Sequence, residues 1–264
     1  MKQMNLWENI PGMCEEVPVI EYYPAENKKT DATIVILPGG GYTHRAQHEG
    51  KGFAEFLNEF GMDTFVCHYR VSPHRHPLPV LDARRAVQFV RYHANEFGIN
   101  PEKVGIMGSS AGGHLAASVC TLQDEFDDVL TEKDAIDNEN YIPDFQILCY
   151  PVIALVDYGH MGSAENLTGD KNKYAKKRYE LSCHNNVHEK TPKAFIWHTI
   201  TDPAVPIQNS LAYVGALREK EIPAELHVFP YGGHGMGVAA KEPHIAQWTT
   251  LLKNWLILNE LLGE

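Results

Sequence analysis

One serine of this sequence stands in a setting that favours nucleophilic chemistry. Ser110 lies in the segment GSSAG (residues 108–112), which fits the pattern G-x-S-x-G and separates the apolar run KVGIM from a predicted helix. Glycines two places on either side let the chain turn sharply, so that the hydroxyl projects above a sheet while helix amides point towards it. Ser109 lacks glycine at both distances and is expected to be a structural hydroxyl.

A serine hydroxyl needs a neighbouring base, and the base needs an acid that orients it. In proteins with this kind of turn, the acid and then the histidine follow the serine along the chain. Asp202 comes directly after the apolar run AFIWH, and His234 comes shortly after the run HVF. We therefore predict that Ser110 is the nucleophile, His234 the general base and Asp202 the acid that orients the base.

The sequence holds fourteen histidines, so the other candidates matter. Two pairs have the i, i+4 spacing that binds metal on a helix, His44/His48 and His184/His188. Neither segment offers a cysteine or a carboxylate as third ligand in a recognisable pattern, so we predict no metal and no cofactor. His198 lies within a predicted strand and His114 on the helix after Ser110, and both are expected to be packed structural residues.

A glycine run follows the first long apolar run. The segment PGGGY (residues 38–42) comes directly after TIVIL, and its amides can face a ligand without obstruction by side chains. Acyl transfer requires such donors for the developing oxyanion. We predict that the backbone amides of Gly40, Gly41 and Ala111 supply them. The run lacks both G-x-G-x-x-G and a following Lys-Ser/Thr, which disfavours a phosphate-binding loop.

The elements that must position these residues follow from the apolar pattern. Unalternated apolar runs predict strands covered on both faces, at Thr33–Leu37, Thr64–Cys67, Lys103–Met107, Phe145–Tyr150, Ala194–His198 and Glu225–Phe229. Helices are predicted at Gly50–Phe60, Val80–Phe97, Ala111–Leu122, Pro206–Glu219 and His244–Leu262. This alternation predicts an α/β fold with a mostly parallel, doubly wound sheet and helices on both faces. Val17–Tyr23 is expected to add an antiparallel edge strand.

The length of 264 residues and the lack of an internal linker predict one domain over residues 1–264. Two polar stretches interrupt the alternation, the acidic segment Gln123–Tyr141 and the longer segment Asp157–Lys190. The second is interpreted as a small cap or rim near the site, with a surface insertion of no function as the alternative.

Charge and cysteine content exclude several classes of partner. The formal net charge is −11 and no basic block occurs, so nucleic acid is not an expected partner. The N-terminal residues lack the pattern of a secretory signal, and no apolar run is long enough to span a membrane. Five scattered cysteines indicate reduced thiols rather than disulfides or zinc ligands. We therefore expect a cytoplasmic location.

Six segments together resemble one known family. They are LPGGGY (37–42), YRVSP (69–73), GSSAGGHLAA (108–117), CYPVI (149–153), WHTITDPAVP (197–206) and FPYGGHGMG (229–237). The chain resembles the α/β-hydrolase esterases of the hormone-sensitive-lipase-like and acetyl-xylan-esterase-like group over nearly its whole length. The resemblance implies a carboxylester hydrolase that removes acetyl groups from sugars or short xylan fragments. Pro38 replaces the histidine that usually begins the glycine loop.

Several readings stay open at this stage. The polarity of Asp157–Lys190 favours a small-molecule ester with a short acyl group over a lipid. The alternatives are a peptidase of the prolyl-oligopeptidase type, which shares the order Ser, Asp, His, and a catalytically silent ligand-binding member. Trp248, Trp255 and Leu256 of the last helix can pack on the sheet or on a second copy in a homo-oligomer.

Overall fold

The computed structural model describes residues 1–12, 14–124 and 126–263. Within them the strands form one eight-stranded sheet, with β1 at Lys2–Asn5, β2 at Val19–Tyr23, β3 at Thr33–Leu37, β4 at Asp63–His68, β5 at Val104–Ser109, β6 at Phe145–Cys149, β7 at Lys193–Thr199 and β8 at Ala224–Phe229. The order across the sheet is β1-β2-β4-β3-β5-β6-β7-β8. Strands β3 to β8 are parallel to one another, which confirms the predicted α/β architecture.

The antiparallel strand predicted at Val17–Tyr23 is present from Val19, but its predicted place at the edge of the sheet is wrong. Strand β2 lies between β1 and β4 and is antiparallel to both. The edge strand is β1, whose Lys2 pairs with Tyr22. Its sequence KQMN is polar and mostly exposed, so no apolar alternation marked it as a strand.

Helices cover both faces of the sheet, as the predicted doubly wound arrangement requires. They are α1 at Gln47–Glu59, α2 at Leu78–Tyr92, α3 at Ala94–Phe97, α4 at Ser110–Thr121, α5 at Met161–Thr168, α6 at Lys176–Glu180, α7 at Gln208–Glu219 and α8 at Gln247–Leu258. Apolar residues of α2, α4 and α7 form the core on one face. Those of α1 and α8 form the core on the other. Strands β3, β5 and β6 between them are buried at every position.

The last helix packs on the sheet of its own chain. Trp248, Trp255 and Leu256 are at most 5% exposed. The Trp248 ring stacks on that of Trp197 in β7, with 5.0 Å between the centroids and 16° between the planes. Of the two alternatives for these side chains, packing on the sheet is therefore correct. The helix covers Gln247–Leu258, which is shorter than the predicted His244–Leu262.

The helix predicted at Val80–Phe97 is divided in two at His93. Helix α2 carries arginines whose guanidinium groups bind the polar segment predicted to interrupt the fold. Arg91 donates to the carbonyls of Asn140 and Ile142, and Arg85 binds the carboxylate of Asp134. These contacts attach the acidic stretch to α2, and its residues Ala135–Asn138 form a 3-10 turn.

The segment Asp157–Lys190 is structured rather than an irregular loop. It contains α5, α6 and a 3-10 turn at Cys183–Asn186. Leu167, Leu181 and Cys183 are buried and join the same core as α2 and α4. In the part of the chain that the structure describes, no helix is both long enough and apolar enough to cross a membrane.

Candidate active site

Ser110 is the first residue of α4 and directly follows β5. Its backbone has a φ of +53°, an uncommon conformation for a residue with a side chain. The turn is tight enough to require glycine nearby. A Cβ at position 108 would lie 2.1 Å from the carbonyl oxygen of Gly112, and one at position 112 would lie 2.1 Å from that of Leu37. The predicted strand–turn–helix context of G-x-S-x-G is therefore present.

The structure brings the three predicted side chains together. The oxygen of Ser110 lies 2.7 Å from Nε2 of His234. Nδ1 of His234 lies 2.7 Å from Oδ2 of Asp202. With the imidazole neutral, Nδ1–H donates to the carboxylate and Nε2 accepts the serine proton. The chain of two hydrogen bonds can thus move a proton from the hydroxyl to the imidazole.

Asp202 is enclosed, with no exposure of its side chain. Its Oδ1 accepts the backbone amides of Ala204 and Val205, both at 2.9 Å. Burial by itself raises the pKa of Asp202. Hydrogen bonds from His198, His234 and the Val205 amide outweigh it and hold the pKa well below the usual range. The carboxylate is therefore ionised where the imidazole needs an anionic partner.

His198 is a packed histidine, as the sequence indicates, but it also contacts the site. Its Nε2 lies 2.9 Å from the carbonyl oxygen of Val205, so this nitrogen carries a proton. The same nitrogen lies 3.4 Å from Oδ2 of Asp202. Its Nδ1 accepts the hydroxyl of Ser210 at 2.8 Å. His198 therefore supplies a second imidazole N–H to the carboxylate that orients His234.

The predicted oxyanion donors belong to two segments next to Ser110, the glycine loop and the first turn of α4. Gly40 and Gly41 have φ values of +130° and +63°, which turn the loop in a way that glycine permits. A Cβ at Gly39 would lie 3.1 Å from that of Ser110, so the loop runs alongside the nucleophile. Ala111 follows Ser110 in the first turn of α4, where amides lack an acceptor within the helix.

Tyr42 and His114 fix the far end of the glycine loop. Tyr42 is buried, and its hydroxyl lies 2.8 Å from Nδ1 of His114. Nε2 of His114 donates to the carbonyl of Leu181 at 2.9 Å, so Nδ1 accepts from the tyrosine. Burial lowers the pKa of His114 to about 4, which keeps the ring neutral near pH 7. His114 is structural, as predicted.

Two residues of the site were missed from the sequence. Glu49, in the first turn of α1, accepts the amide of Gly39 at 2.9 Å and the hydroxyl of Tyr150 at 2.7 Å. The Tyr150 hydroxyl accepts the amide of Gly237 at 2.9 Å. A signal was available, since Glu49 falls in register with the apolar positions of α1, where a carboxylate requires partners.

Helix α5 of the 157–190 segment borders the glycine loop. The amide of the Asn166 side chain donates to the carbonyl of Gly41 at 2.8 Å. His160 precedes α5 and accepts the amide of Ser163 at its Nδ1, 3.2 Å away. Burial is the main cause that lowers the pKa of His160, and its proximity to the titratable ring of His234 lowers it further. Helix α5 therefore contacts the glycine loop through a polar side chain.

The two histidine pairs serve other contacts. His48 donates from Nε2 to the carbonyl of Gly235 at 2.9 Å, and His44 contacts the hydroxyl of Thr43. His184 lies beside the ring of Tyr158. Among residues 1–12, 14–124 and 126–263, no group of three or more His, Cys, Asp or Glu side chains is arranged to hold a metal ion.

Comparison with known proteins places this arrangement in a family. The profile of the BD-FAE family matches residues 21–217, three quarters of the chain. The chain belongs to the BD-FAE family. A crystal structure of an acetyl ester-xyloside bifunctional hydrolase from Caldicellulosiruptor lactoaceticus is 41% identical. It superposes with a TM-score of 0.92 over 99% of this chain and 97% of that one, which confirms the predicted α/β-hydrolase fold.

Relatives of this BD-FAE chain include two longer curated proteins. Endo-1,4-beta-xylanase B of Butyrivibrio fibrisolvens is 39% identical over 90% of the chain. Acetylxylan esterase of Xylanibacter ruminicola is 34% identical over 84% of the chain. The chain spans only 38% and 45% of the lengths of these two relatives. The predicted resemblance to the acetyl-xylan-esterase-like group is confirmed.

Proposed function

We propose that this protein is a serine carboxylester hydrolase that removes acetyl groups from a sugar or short xylan-type oligosaccharide. The proposal depends on one observation, the unbroken contact from the Ser110 oxygen through the His234 ring to the Asp202 carboxylate. The names of two relatives, an acetylxylan esterase and an acetyl ester-xyloside hydrolase, support the choice of acetylated sugar.

The first half of the reaction forms an acyl-enzyme. Ser110 attacks the ester carbonyl while Nε2 of His234 takes its proton, and Asp202 stabilises the imidazolium that results. The carbonyl oxygen becomes an oxyanion and accepts hydrogen bonds from the backbone amides of Gly40, Gly41 and Ala111. When the tetrahedral intermediate collapses, the carbon–oxygen bond to the alcohol breaks. The alcohol leaves with the proton from His234.

The second half returns the enzyme to its starting state. Water gives a proton to Nε2 of His234 and attacks the acyl carbon. The same amides donate hydrogen bonds to the second oxyanion. Collapse of this intermediate breaks the bond to Ser110, whose oxygen recovers its proton from His234. The net reaction consumes one water and releases one carboxylic acid and one alcohol.

A panel of substrates tests the activity and separates its alternatives. We expect turnover of p-nitrophenyl acetate and of acetylated xylo-oligosaccharides, and loss of about 10⁴-fold or more in Ser110→Ala. Peptide anilides in the same panel test for a peptidase. Equal turnover by Ser110→Ala, or turnover confined to peptide anilides, would contradict the proposal. Absence of both turnover and labelling by a fluorophosphonate probe would indicate a silent binding protein.

The acyl group is proposed to be short. The rim beside Gly41 carries polar side chains such as Asn166 and His160, which offer little apolar surface to a long chain. In a series of p-nitrophenyl esters, we expect kcat/KM to be highest for acetyl and to fall with longer acyl groups. Preference that rises with chain length would rule out this assignment.

We also propose that the enzyme works in the cytoplasm on small-molecule esters, without a nucleic-acid or membrane partner. Its net charge of −11 disfavours binding to polyanions. All five cysteines are free thiols, and four of them are buried. Fractionation of the native host should place the esterase in the cytoplasmic fraction, and recovery from the exported or membrane fraction would overturn this location.

A further inference from the structure

Glu49 is a buried acid that the proposed reaction does not use. Its side chain is 3% exposed, and among the described residues only the His48 imidazole, at 3.9 Å, lies within ion-pair distance of it. A buried carboxylate is costly unless hydrogen bonds replace its water. The two oxygens of Glu49 each accept one strong donor, and these donors come from different parts of the active site.

The first donor belongs to the glycine loop. The amide of Gly39 points at Oε2 of Glu49, so the Pro38–Gly39 peptide, one position before the Gly40 amide, has a defined orientation. This orientation matters because the amides that receive the oxyanion follow directly along the chain. Gly39 also lies beside Ser110, since a Cβ added to Gly39 would lie 3.1 Å from the Cβ of the serine. Displacement of Gly39 would therefore move the donors relative to the nucleophile.

The second donor leads to the loop that carries His234. The Tyr150 hydroxyl donates a hydrogen bond to Oε1 of Glu49 and accepts one from the amide of Gly237. The rings of Tyr150 and His234 pack edge to face, with 5.2 Å between their centroids and 69° between their planes. Tyr150 thus contacts the His234 imidazole directly and binds the loop that carries it through Gly237. Glu49 orients the hydroxyl of Tyr150.

We propose that Glu49 is a positioning residue that sets the oxyanion loop and the His234 loop relative to each other, the second through Tyr150. This proposal depends on the proposed serine-esterase function, because it assigns Glu49 a role in that site. Small displacements of reacting groups can cost about 10²-fold in rate even when the altered residue does not touch the substrate.

Glu49→Gln is the informative substitution because it keeps the size of the side chain. If the new amide oxygen accepts Gly39 N–H, the amide NH₂ faces the Tyr150 hydroxyl, which already accepts Gly237 N–H. The hydroxyl proton of Tyr150 then has no acceptor at position 49. We expect kcat for p-nitrophenyl acetate to fall about 10- to 100-fold, with KM changed less than about twofold.

Two readouts accompany the steady-state kinetics. The rate constant for labelling of Ser110 by a fluorophosphonate probe should fall in parallel with kcat, while the final labelling should reach one probe per chain. Glu55→Gln is the matched control, since Glu55 lies on the same helix with 61% of its side chain exposed. This control should keep kcat within about twofold of the unaltered protein.

Tyr150→Phe and the double variant test the route. If Glu49 orients the His234 loop through Tyr150, Tyr150→Phe should also lower kcat, and the double variant should lose no more than about twofold beyond the larger single loss. Losses that multiply would overturn the route through Tyr150. If Glu49→Gln does not fold, Tyr150→Phe still decides, because full kcat in that variant would contradict the proposal.

The outcomes separate this proposal from the proposed function. Full kcat and labelling rate in folded Glu49→Gln would refute the positioning role while leaving the esterase intact. A lower thermal midpoint with unchanged kcat per labelled site would equally refute it, because the residue would then serve stability only. If the unaltered protein cleaves none of the esters, the esterase proposal fails, and the labelling rates still compare the variants. An unaltered protein that does not label would refute both.

Discussion

The two sides of Ser110 are built in different ways. On one side, His234 and Asp202 are connected by short hydrogen bonds between side chains, and further donors lower the pKa of the carboxylate. On the other side, the oxyanion donors are backbone amides. Their positions depend on close packing between Gly112 and the carbonyl of Leu37 and on hydrogen bonds to the loop.

This difference shows how each side can fail. Loss of a functional group on the histidine side removes a step of proton transfer, because no neighbouring group replaces it. A change on the amide side leaves every donor in the chain but moves it, so the loss depends on the displacement. Activity should therefore be most sensitive to changes of functional group at His234 and Asp202. At the amide donors it should be most sensitive to changes in side-chain volume and to loss of the hydrogen bonds that hold the loop.

The largest effect is expected from Asp202→Asn. The new amide can donate to Nδ1 of His234, which leaves the proton on Nε2 and prevents it from accepting the proton of Ser110. We expect kcat to fall about 10⁴-fold with the fold intact. Asp31→Asn, at a half-exposed acid paired with Lys103, is the control and should have normal kcat. A loss below about tenfold would show that the acid is not needed for orientation.

Gly112→Ala should have the next largest effect and tests the amide side by volume alone. The added Cβ would lie 2.1 Å from the carbonyl oxygen of Leu37 and must displace the loop that carries Gly40 and Gly41. We expect kcat to fall about 10²- to 10³-fold, similar to loss of an oxyanion donor.

Gly52→Ala is the matched control for this substitution. Gly52 lies in α1, and no atom would lie within 4 Å of an added Cβ. Kinetics should be unchanged, and the free energy of unfolding should rise by up to about 1 kcal/mol because alanine favours a helix. If both glycine variants keep full kcat, the close packing at Gly112 does not position the donors.

Asn166→Ala is expected to have a smaller effect on the same side. It removes the hydrogen bond from α5 to the carbonyl of Gly41, a contact that contributes about 1 kcal/mol. We expect kcat/KM for p-nitrophenyl acetate to fall about fivefold. Asn95→Ala, at an exposed asparagine of α3, should leave kcat/KM unchanged. Equal kinetics in the two variants would show that the hydrogen bond from Asn166 does not support the glycine loop.

The smallest effect concerns stability in acid rather than rate. The pKa of Asp202 is lowered in the folded protein, so its contribution to stability is complete above the unfolded pKa of about 3.9 and is lost as pH falls towards the folded value. The free energy of unfolding should therefore fall more steeply below about pH 5 in the unaltered protein than in Asp202→Asn. Urea unfolding at several pH values measures it, and parallel curves would contradict the prediction.

The sequence predicted what residue types and apolar runs can reveal. Strands β3 to β7 are almost fully buried and appear as continuous apolar runs, so their existence and their parallel direction were predictable. Ser110, Asp202 and His234 were identified because each follows a strand. Glycine at the turn was also a sequence signal, since a larger residue would clash there.

The features that were missed depend on distance in space rather than on pattern. Strand β1 exists because β2 offers it a free edge, although its own residues are polar. Glu49 and Tyr150 are separated by about a hundred positions, so their hydrogen bond could not be predicted from either segment alone. His198 could be identified as packed, but its contact with Asp202 depends on how the chain turns after β7.

The stacked tryptophans of β7 and α8 give the protein a built-in optical reporter. All four tryptophans are buried, and Trp197 and Trp248 are close enough for their indole transitions to couple. Near-ultraviolet circular dichroism should therefore follow the seam between the sheet and the last helix, and the signal should vanish when fixed packing is lost. Trp248 comes from α8, so the same band would report when this helix has docked on the sheet.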